Sequence, residues 1–365
     1  MFSPQYAGVN DILIEEGVIT CIRQRISVSA FACAREIDAA GMFILPGFID
    51  THLHIIGGGG ESGDASLIAP LEAEKLIQSG ITGCVGMLGY ERRRKTPQML
   101  YEKAAALNEY GIETYALSGS YQIPPITFTG SLAEDLESLP LCMGAGEIAI
   151  EDSRTQGAAM EQIILLLQTV HKAAKKTQKP MKTVFHIGNR AQDLQLLFRM
   201  VKIYPQTVEV AIPTHVNRNR KILDDAVAYI KMGGTVDITA GIGNQEALNN
   251  GFIKAPQALE HILKEAGSLD HVTLSSDGGG SAPVYDENNR IVSSGVSDAA
   301  SLLYDIHAAY RQGMRLSELL KTVSENPAAL YGFAQGGIYE GARACINITD
   351  DDLKLKYTVL NGTVH

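Results

Sequence analysis

The sequence predicts an α/β protein: a (β/α)8 TIM-like barrel with a small β-sandwich domain formed from both chain termini. Strand-like and helix-like segments alternate eight times between residues 43 and 335. Both ends of the chain contain only short strand-like runs. The 365 residues suffice for one large domain or two ordinary ones. We therefore assign residues 43–335 to the barrel and residues 1–42 plus 336–365 to the small β-domain. A doubly wound open sheet produces similar alternation and stays an alternative.

Charge and composition restrict the class of function. The net charge is −10 and no long basic run is present, which argues against nucleic acid as a partner. No apolar run is long enough to span a membrane, and the N-terminus lacks the layout of a signal peptide. The five cysteines are scattered and odd in number, which is typical of a reducing compartment. We therefore expect a cytoplasmic globular protein that binds neither membranes nor nucleic acid.

The two ends of the chain resemble each other in their patterning. Residues 11–16 and 18–23 are strand-like runs around a Glu-Gly turn, and residues 35–37 are a further candidate. The tail returns to this pattern, with an Asn-Gly turn and strand-like runs at 337–339, 345–348 and 356–360. This similarity is the reason for placing both ends in one β-domain.

The central segment supplies the barrel. Its first strand is the apolar run that starts at Phe43 and ends in His52 and His54. The other seven strands are predicted at 81–88, 114–121, 141–150, 182–186, 208–215, 235–239 and 271–277. Helices are predicted between them, some with Pro at the start or Gly at the end, at 70–79, 96–111, 157–176, 190–203, a segment ending at 232, 256–266, 297–311 and 316–323.

Two histidines close the first strand. Side chains alternate along a strand, so His52 and His54 share one face. Glycines 57–60 follow and allow a ligand to approach closely. Paired imidazoles at such a position suggest a metal site. A pair of surface or hydrogen-bonded histidines is the alternative.

Polar residues also close other predicted strands on the same rim, where barrel enzymes carry their chemistry. Together with the first pair, these candidate ligands are His52, His54, Glu147, His186, His215 and Asp277. Nitrogen and oxygen ligands of this number can hold two divalent ions, and they suit zinc best. Two metals that share a hydroxide provide a nucleophile at neutral pH, and Asp277 could pass its proton to a leaving amine. The pattern therefore predicts hydrolysis of an amide or a related C–N bond. The remaining histidines, predicted to be structural or solvated, are His171, His261, His271, His307 and His365.

Several segments in order carry a family resemblance. PGFIDTHLH, VFHIGN, PTHVNRN, TLSSDGGGSA and ENPAALYGF resemble the amidohydrolase superfamily almost from end to end. Within it, HLHIIGGGGESG and GSYQIP make the chain similar to the isoaspartyl (β-aspartyl) dipeptidases. That resemblance implies a zinc metallopeptidase with two Zn²⁺ ions per chain, acting as a homo-oligomer on a small-molecule substrate. The implied substrate is a dipeptide whose N-terminal aspartate is linked through its side-chain carboxyl.

The resemblance also implies a role for individual residues. Asp277 would bind metal, as would the four rim histidines, and it would shuttle the proton. Tyr121 would donate a hydrogen bond to the scissile carbonyl oxygen, and Glu61 would pair with the free α-amino group. Two guanidinium groups would hold carboxylates. The implied substrate pocket comprises Gly59, Glu61, Tyr90, Tyr121, Arg154, Arg218 and Ser281. Taken singly, each tyrosine or arginine could equally be a structural hydrogen bonder.

Two positions depart from the family pattern. Glu147 stands where the family commonly has a carboxylated lysine, and its carboxyl group falls short by about 4 Å at roughly 1.5 Å per bond. The backbone could move inward, Glu147 could bind one metal or none, or Glu151 could substitute. Tyr90 replaces a smaller threonine and would reshape the pocket, while the basic run 92–95 is expected to be a solvated face.

Two other functions stay open from the sequence. A related amidohydrolase could act on an N-acyl amino acid or a cyclic amide, as dihydroorotases and hydantoinases do. Glu61, Arg154 and Arg218 argue against a cyclic substrate, which has no free amine for the acid to bind. A non-catalytic scaffold is the third alternative, although such a protein has no need to keep a full set of metal ligands.

Overall fold

The computed structural model describes residues 1–27, 35–285 and 291–365. Its strands, in chain order, are β1 (Asp11–Glu15), β2 (Val18–Arg23), β3 (Phe43–Pro46), β4 (Phe48–Leu53), β5 (Ile81–Gly86), β6 (Glu113–Ser118), β7 (Cys142–Ile150), β8 (Lys182–Ile187), β9 (Ala211–Thr214), β10 (Val236–Thr239), β11 (Val272–Ser275), β12 (Ser281–Tyr285), β13 (Ile291–Val296), β14 (Ile346–Thr349), β15 (Leu355–Leu360) and β16 (Thr363–Val364). Its helices are α1 (Ala73–Gln78), α2 (Pro97–Tyr110), α3 (Leu132–Ser138), α4 (Met160–Thr177), α5 (Gln195–Ile203), α6 (Thr207–Val210), α7 (Arg220–Lys231), α8 (Asn244–Asn250), α9 (Ala255–Ala266), α10 (Ser301–Arg311), α11 (Leu316–Lys321) and α12 (Glu325–Tyr331).

A curled parallel sheet positions the functional residues. Its six strands follow the order β4-β5-β6-β7-β8-β9, and β10 and β11 form a further parallel pair. The Val216 amide donates to the Asp237 carbonyl, which links the end of β9 to β10. On the other side, a parallel bridge joins Leu53 to Gly278, and the His54 amide donates to the Gly278 carbonyl. The mixed α/β class is therefore confirmed, and the parallel strands have the arrangement of a TIM-like barrel.

The first predicted strand consists of two strands that belong to different sheets. β3 pairs antiparallel with β14 in the tail, whereas β4 pairs parallel with β5. Gly47 lies between them, and a Cβ added there would lie 2.2 Å from the Thr82 hydroxyl oxygen. This close approach explains why a continuous apolar run divides at a glycine.

Other boundaries also differ from the prediction. The sixth predicted strand starts as the short helix α6 and becomes extended only at β9, because short apolar runs do not distinguish the two structures. Residues 35–37 and 337–339 are not strands. Several observed elements have no counterpart among the predicted ones: the hairpin of β12 and β13 and the helices α3, α8 and α12.

The termini form two small sheets beside the barrel. One is the β1–β2 hairpin, and the other has the order β16-β15-β14-β3. Buried Ile19, Ile346, Ile348 and Val359 belong to one hydrophobic cluster that joins them. The β-sandwich and its domain boundaries stay a prediction. Within the described ranges, no helix combines the length and the apolar character needed to cross a membrane.

Candidate active site

Four histidines and one glutamate meet at the carboxyl ends of the parallel strands. His52 lies on β4, Glu147 on β7 and His186 on β8, while His54 and His215 directly follow β4 and β9. All five side chains are buried. They form two groups, His52–His54–Glu147 and Glu147–His186–His215, whose potential ligand atoms lie within 4.8 Å of one another in each group. Glu147 is common to both groups.

The carboxylate of Glu147 occupies the centre of the histidine cluster. Its Oε1 lies 2.6 Å from Nδ1 of His186, 3.2 Å from Nε2 of His215 and 3.5 Å from Nε2 of His52. Its Oε2 lies 3.7 Å from Nε2 of His54. A carboxylate that bridges two metals needs this position between two pairs of ligands.

A bulge in β7 accounts for the reach of Glu147. Between Ala145 and Ile148, β7 has one more residue than the facing segment of β8, and the pairing with β6 shifts in the same region. Gly144 and Gly146 have φ values of 148° and 157°, and a Cβ on Gly144 would lie 1.8 Å from the Lys182 carbonyl oxygen. Bulges redirect side chains. Glu147 lies within this bulge, and its carboxylate lies within 3.7 Å of all four imidazoles.

Asp277 contributes a second carboxylate from the pocket side of the cluster. Its Oδ1 lies 3.0 Å from Nε2 of His54 and 3.6 Å from Nε2 of His52. The loop after β11 permits this approach because position 280 is a glycine: a Cβ there would lie 2.3 Å from Oδ1 of Asp277. The predicted ligands are therefore brought together in one cluster.

The donor set fits divalent cations. Among the described residues, no group hydrogen-bonds to Nε2 of His52 or to Oε2 of Glu147, although both atoms are buried. A buried polar atom without a partner is costly unless a ligand satisfies it. Neutral imidazoles and ionised carboxylates are the ligands that zinc prefers.

Electrostatics keep the carboxylates ionised. Burial alone would raise the pKa of Glu147, but His52 and His186 hold it well below its ordinary value. Burial opposes the charged form of His52 as well, yet the carboxylates of Glu147 and Asp277 raise the pKa of this histidine to about 10. Burial lowers the pKa of His215 to about 3. The two carboxylates therefore attract positive charge to the centre of the cluster, where a metal cation would take the place of the proton on His52.

Buried polar groups below the cluster were not predicted from the sequence. Asp237 on β10 accepts hydrogen bonds from hydroxyl groups on β9 and β11 and from Thr51 on β4, at 2.6–3.3 Å. Asp50 accepts from the His52 amide, and burial raises the pKa of this aspartate to about 7. The Thr239 hydroxyl lies 2.6 Å from Nδ1 of His215 and orients that ring. The sequence signal that could have indicated these residues is the presence of polar side chains at alternate positions of otherwise apolar strands.

A pocket of about 330 Å³ opens above the cluster. Oε1 of Glu61 lies 3.3 Å from Nη1 of Arg154 and accepts a hydrogen bond from the Ser281 hydroxyl. Asp152 anchors Arg154 by accepting hydrogen bonds of 2.9 Å from Nε and Nη2. Burial alone would raise the pKa of Asp152, but Arg154 and His186 hold it well below its ordinary value. Asp152, which holds Arg154 in place beside the pocket, was not predicted from the sequence.

Two tyrosines line the same pocket. The Tyr121 hydroxyl lies 3.2 Å from Nδ1 of His186, and the guanidinium of Arg154 stacks 4.7 Å from the centre of the tyrosine ring. Burial raises the pKa of Tyr121 well above its ordinary value, so the phenol keeps its proton and can donate it in a hydrogen bond. Tyr90 packs edge-on against Tyr121, with ring centres 6.4 Å apart. Tyr90 therefore forms part of the pocket wall beside Tyr121.

The glycine-rich loop after β4 is fastened by a lysine. Gly59 has a φ of 88°, and a Cβ there would lie 2.0 Å from the Ser66 carbonyl oxygen, so the position requires glycine. Nζ of Lys95 donates to the carbonyls of Ile56 and Ile68, at 2.6 and 2.8 Å. The expectation that the whole run 92–95 is solvated is wrong for Lys95, which is buried because loop carbonyls need donors.

The structure brings the predicted site residues into one region. His52 and Glu147 lie beneath the pocket, and its lining includes Gly59, Glu61, Tyr90, Tyr121, Arg154, Arg218, Ser281, His54, His186, His215 and Asp277. Glu151, the lower-ranked alternative ligand, is exposed and belongs to neither of the two candidate metal-binding groups.

Comparison with known proteins places this site in a family. The profile of the Amidohydrolase family matches residues 43–364. The chain belongs to the amidohydrolase family. The predicted superfamily and the prediction of a hydrolytic enzyme are thereby confirmed.

Two solved structures cover this amidohydrolase along its whole length. The β-aspartyl dipeptidase of Fervidobacterium islandicum AW-1 in complex with β-Asp-Leu is 32% identical, with a TM-score of 0.92 over 100% of this chain and 93% of that one. A second structure of that dipeptidase is 30% identical, with a TM-score of 0.87 over 100% and 94% of the two chains. An imidazolonepropionase of Caulobacter vibrioides is 25% identical over 147 residues, and this match spans only 37% of the chain and 35% of that relative.

Proposed function

We propose that this amidohydrolase hydrolyses the isopeptide bond of β-aspartyl dipeptides. The observation that carries the proposal is the placement of Glu61 between Arg154 and Ser281, both of which hydrogen-bond to its carboxylate, in the pocket above the histidine cluster. An acid and a guanidinium side by side match a zwitterionic head group. The similarity to the dipeptidase that was solved with β-Asp-Leu supports the same substrate class.

The charges of the substrate match those of the pocket. A β-aspartyl dipeptide carries one free α-amino group, one free α-carboxylate on the same carbon and a second carboxylate on the leaving residue. Glu61 would bind the ammonium group, and Arg154 and Arg218 would bind the carboxylates. In an α-linked dipeptide the α-carboxyl is consumed by the peptide bond, so this match is lost.

In the proposed chemistry, two zinc ions would be held by the four histidines, Asp277 and Glu147. When bound, such a pair of metals provides a hydroxide nucleophile and polarises the scissile carbonyl. Asp277 would take the proton of the attacking water at Oδ1 and deliver it to the leaving nitrogen. The Tyr121 hydroxyl would donate a hydrogen bond to the carbonyl oxygen as negative charge develops there. A cytoplasmic location and a homo-oligomeric state stay expectations.

The substrate class can be tested by comparing linkage isomers. Zinc-loaded protein is expected to release aspartate from β-Asp-Leu but not from α-Asp-Leu, because only the β isomer carries the free ammonium and a free carboxylate of the aspartyl residue on the same carbon. Aspartate and leucine would be quantified by chromatography at matched substrate concentrations. Turnover of dihydroorotate or a hydantoin without turnover of β-Asp-Leu would favour the cyclic-amide alternative instead.

Glu61→Gln is expected to lower kcat/KM for β-Asp-Leu by about 10- to 100-fold, the range for losing a charged hydrogen bond. N-succinyl-leucine lacks the α-amino group, so its slower turnover is expected to be unchanged by the substitution. Glu102→Gln on the exposed face of α2 serves as the matched control. Equal losses on both substrates would remove Glu61 from amine recognition.

A further inference from the structure

We propose that Phe252, together with Ile242 and Tyr304, forms an apolar subsite for the side chain of the leaving residue. The preferred substrates are then β-aspartyl dipeptides whose C-terminal residue is apolar. This inference rests on the proposed function, since it concerns the other half of the same substrate. It assigns a role to pocket residues that metal binding and recognition of the aspartyl group do not use.

The three side chains come from two segments that border the pocket together. Ile242 and Phe252 lie in the loops that flank α8, after β10, and both are half-buried. Tyr304 lies on α10, one turn after Ser301, and is 65% exposed. The Gly241 amide donates to Asp305 on α10, which fixes the loop against that helix. The subsite is therefore built by neighbouring segments rather than by one flexible loop.

Arg218 connects this apolar region to the histidine cluster. Nη2 of Arg218 lies 3.5 Å from Nε2 of His186, and its guanidinium carbon lies 5.5 Å from the centre of the Phe252 ring. Arg154, in contrast, contacts Glu61. Of the two arginines, Arg218 is thus the one beside the apolar side chains, and Arg154 is the one beside the acid that would bind the aspartyl amine.

The covalent structure of the substrate then places the leaving side chain. A carboxylate and a side chain are attached to the same Cα, so Cβ lies about 2.5 Å from the carboxyl carbon. A leaving residue whose carboxylate is bound by Arg218 therefore directs its side chain alongside the Phe252 ring. Because the three pocket side chains are still partly exposed, an apolar substituent would remove further apolar surface from water.

Charge at the same rim works against acidic leaving residues. Asp298 is exposed and lines the pocket, three residues before the start of α10 at Ser301. A glutamate side chain in the subsite would face this carboxylate and displace water from apolar surface without gaining a partner. The expected order of preference is leucine, methionine or phenylalanine first, then glycine, with glutamate last.

The test compares kcat/KM for β-Asp-Leu, β-Asp-Gly and β-Asp-Glu. The unsubstituted protein is expected to prefer leucine to glycine by at least about tenfold, as apolar pockets do for added methyl and methylene groups. Phe252→Ala is expected to lower kcat/KM for β-Asp-Leu by about tenfold while leaving β-Asp-Gly within about threefold. Phe252→Leu should retain the preference, and Tyr339→Ala, an exposed aromatic in the tail, is the matched control.

The outcomes separate this inference from the function on which it rests. Similar kcat/KM values for all three dipeptides, or a leucine-to-glycine ratio unchanged in Phe252→Ala, would overturn the apolar subsite and leave the dipeptidase in place. No turnover of any β-aspartyl dipeptide by the unsubstituted protein would overturn both. If Phe252→Ala does not fold, as judged by thermal unfolding, Ile242→Ala supplies the same comparison, with the same ratio as the deciding quantity.

Discussion

Replacing Glu147 with glutamine is expected to reduce β-Asp-Leu hydrolysis by at least about 1,000-fold and to lower the zinc content of the protein. Glutamine keeps the size of the side chain but loses its charge, and its amide offers only one oxygen. Oε1 of Glu147 lies within 3.5 Å of three imidazoles, so one substitution disturbs both histidine groups. Metal content per chain would be measured by mass spectrometry of the metal after dialysis, alongside the kinetics.

Glu151→Gln provides the matched control for this experiment. Glu151 lies four residues further along and is exposed, so its substitution should change neither metal content nor turnover. Full activity and full metal content in Glu147→Gln would contradict the proposed bridge. Lost activity with unchanged metal content would instead restrict Glu147 to positioning the histidines.

Asp277→Asn is expected to lower kcat for β-Asp-Leu by about 1,000-fold, while KM changes by less than about threefold. Asparagine can still offer an oxygen to a metal, but it cannot take a proton from water and pass it to the leaving amine. Oδ1 of Asp277 lies 3.0 Å from Nε2 of His54, which places the carboxylate at the boundary between the histidine cluster and the pocket. Steady-state kinetics and metal analysis on the same preparation distinguish the two roles.

Asp270→Asn is the matched control because Asp270 precedes β11 whereas Asp277 follows it. Asp270 is exposed and pairs with Lys321, so its substitution is expected to leave turnover unchanged. A kcat within about tenfold of the unsubstituted value in Asp277→Asn would rule out the proton shuttle. Loss of metal in this variant would show that coordination, rather than proton transfer, is the main role.

The functional residues could be predicted because parallel strands end on a common edge. His186 and His215 are distant in sequence from His52, yet each closes a buried strand, and the strand order brings them together. Motif resemblance added Glu61, which no strand pattern indicates. The fold class could be predicted because the parallel strands are buried on both faces, so that each strand appears in the sequence as a clear apolar run.

Features that depend on tertiary contacts could not be predicted from the sequence. The bulge that contains Glu147 depends on two glycines and on a pairing shift that involves β6 and β8 together. Asp237 has three hydroxyl partners on β9 and β11 and one on β4, so its role appears only when the strands are adjacent. The buried state of Lys95 likewise depends on carbonyls of Ile56 and Ile68, which the sequence separates from it.

The bulge in β7 also bears on how the protein would mature. A lysine can bridge metals only after it has reacted with carbon dioxide, and that reaction is reversible. A bridge supplied by Glu147 would be encoded in the gene and available as soon as the chain folds. In a protein that uses it, assembly of the catalytic centre depends on the supply of metal alone and not on dissolved carbon dioxide.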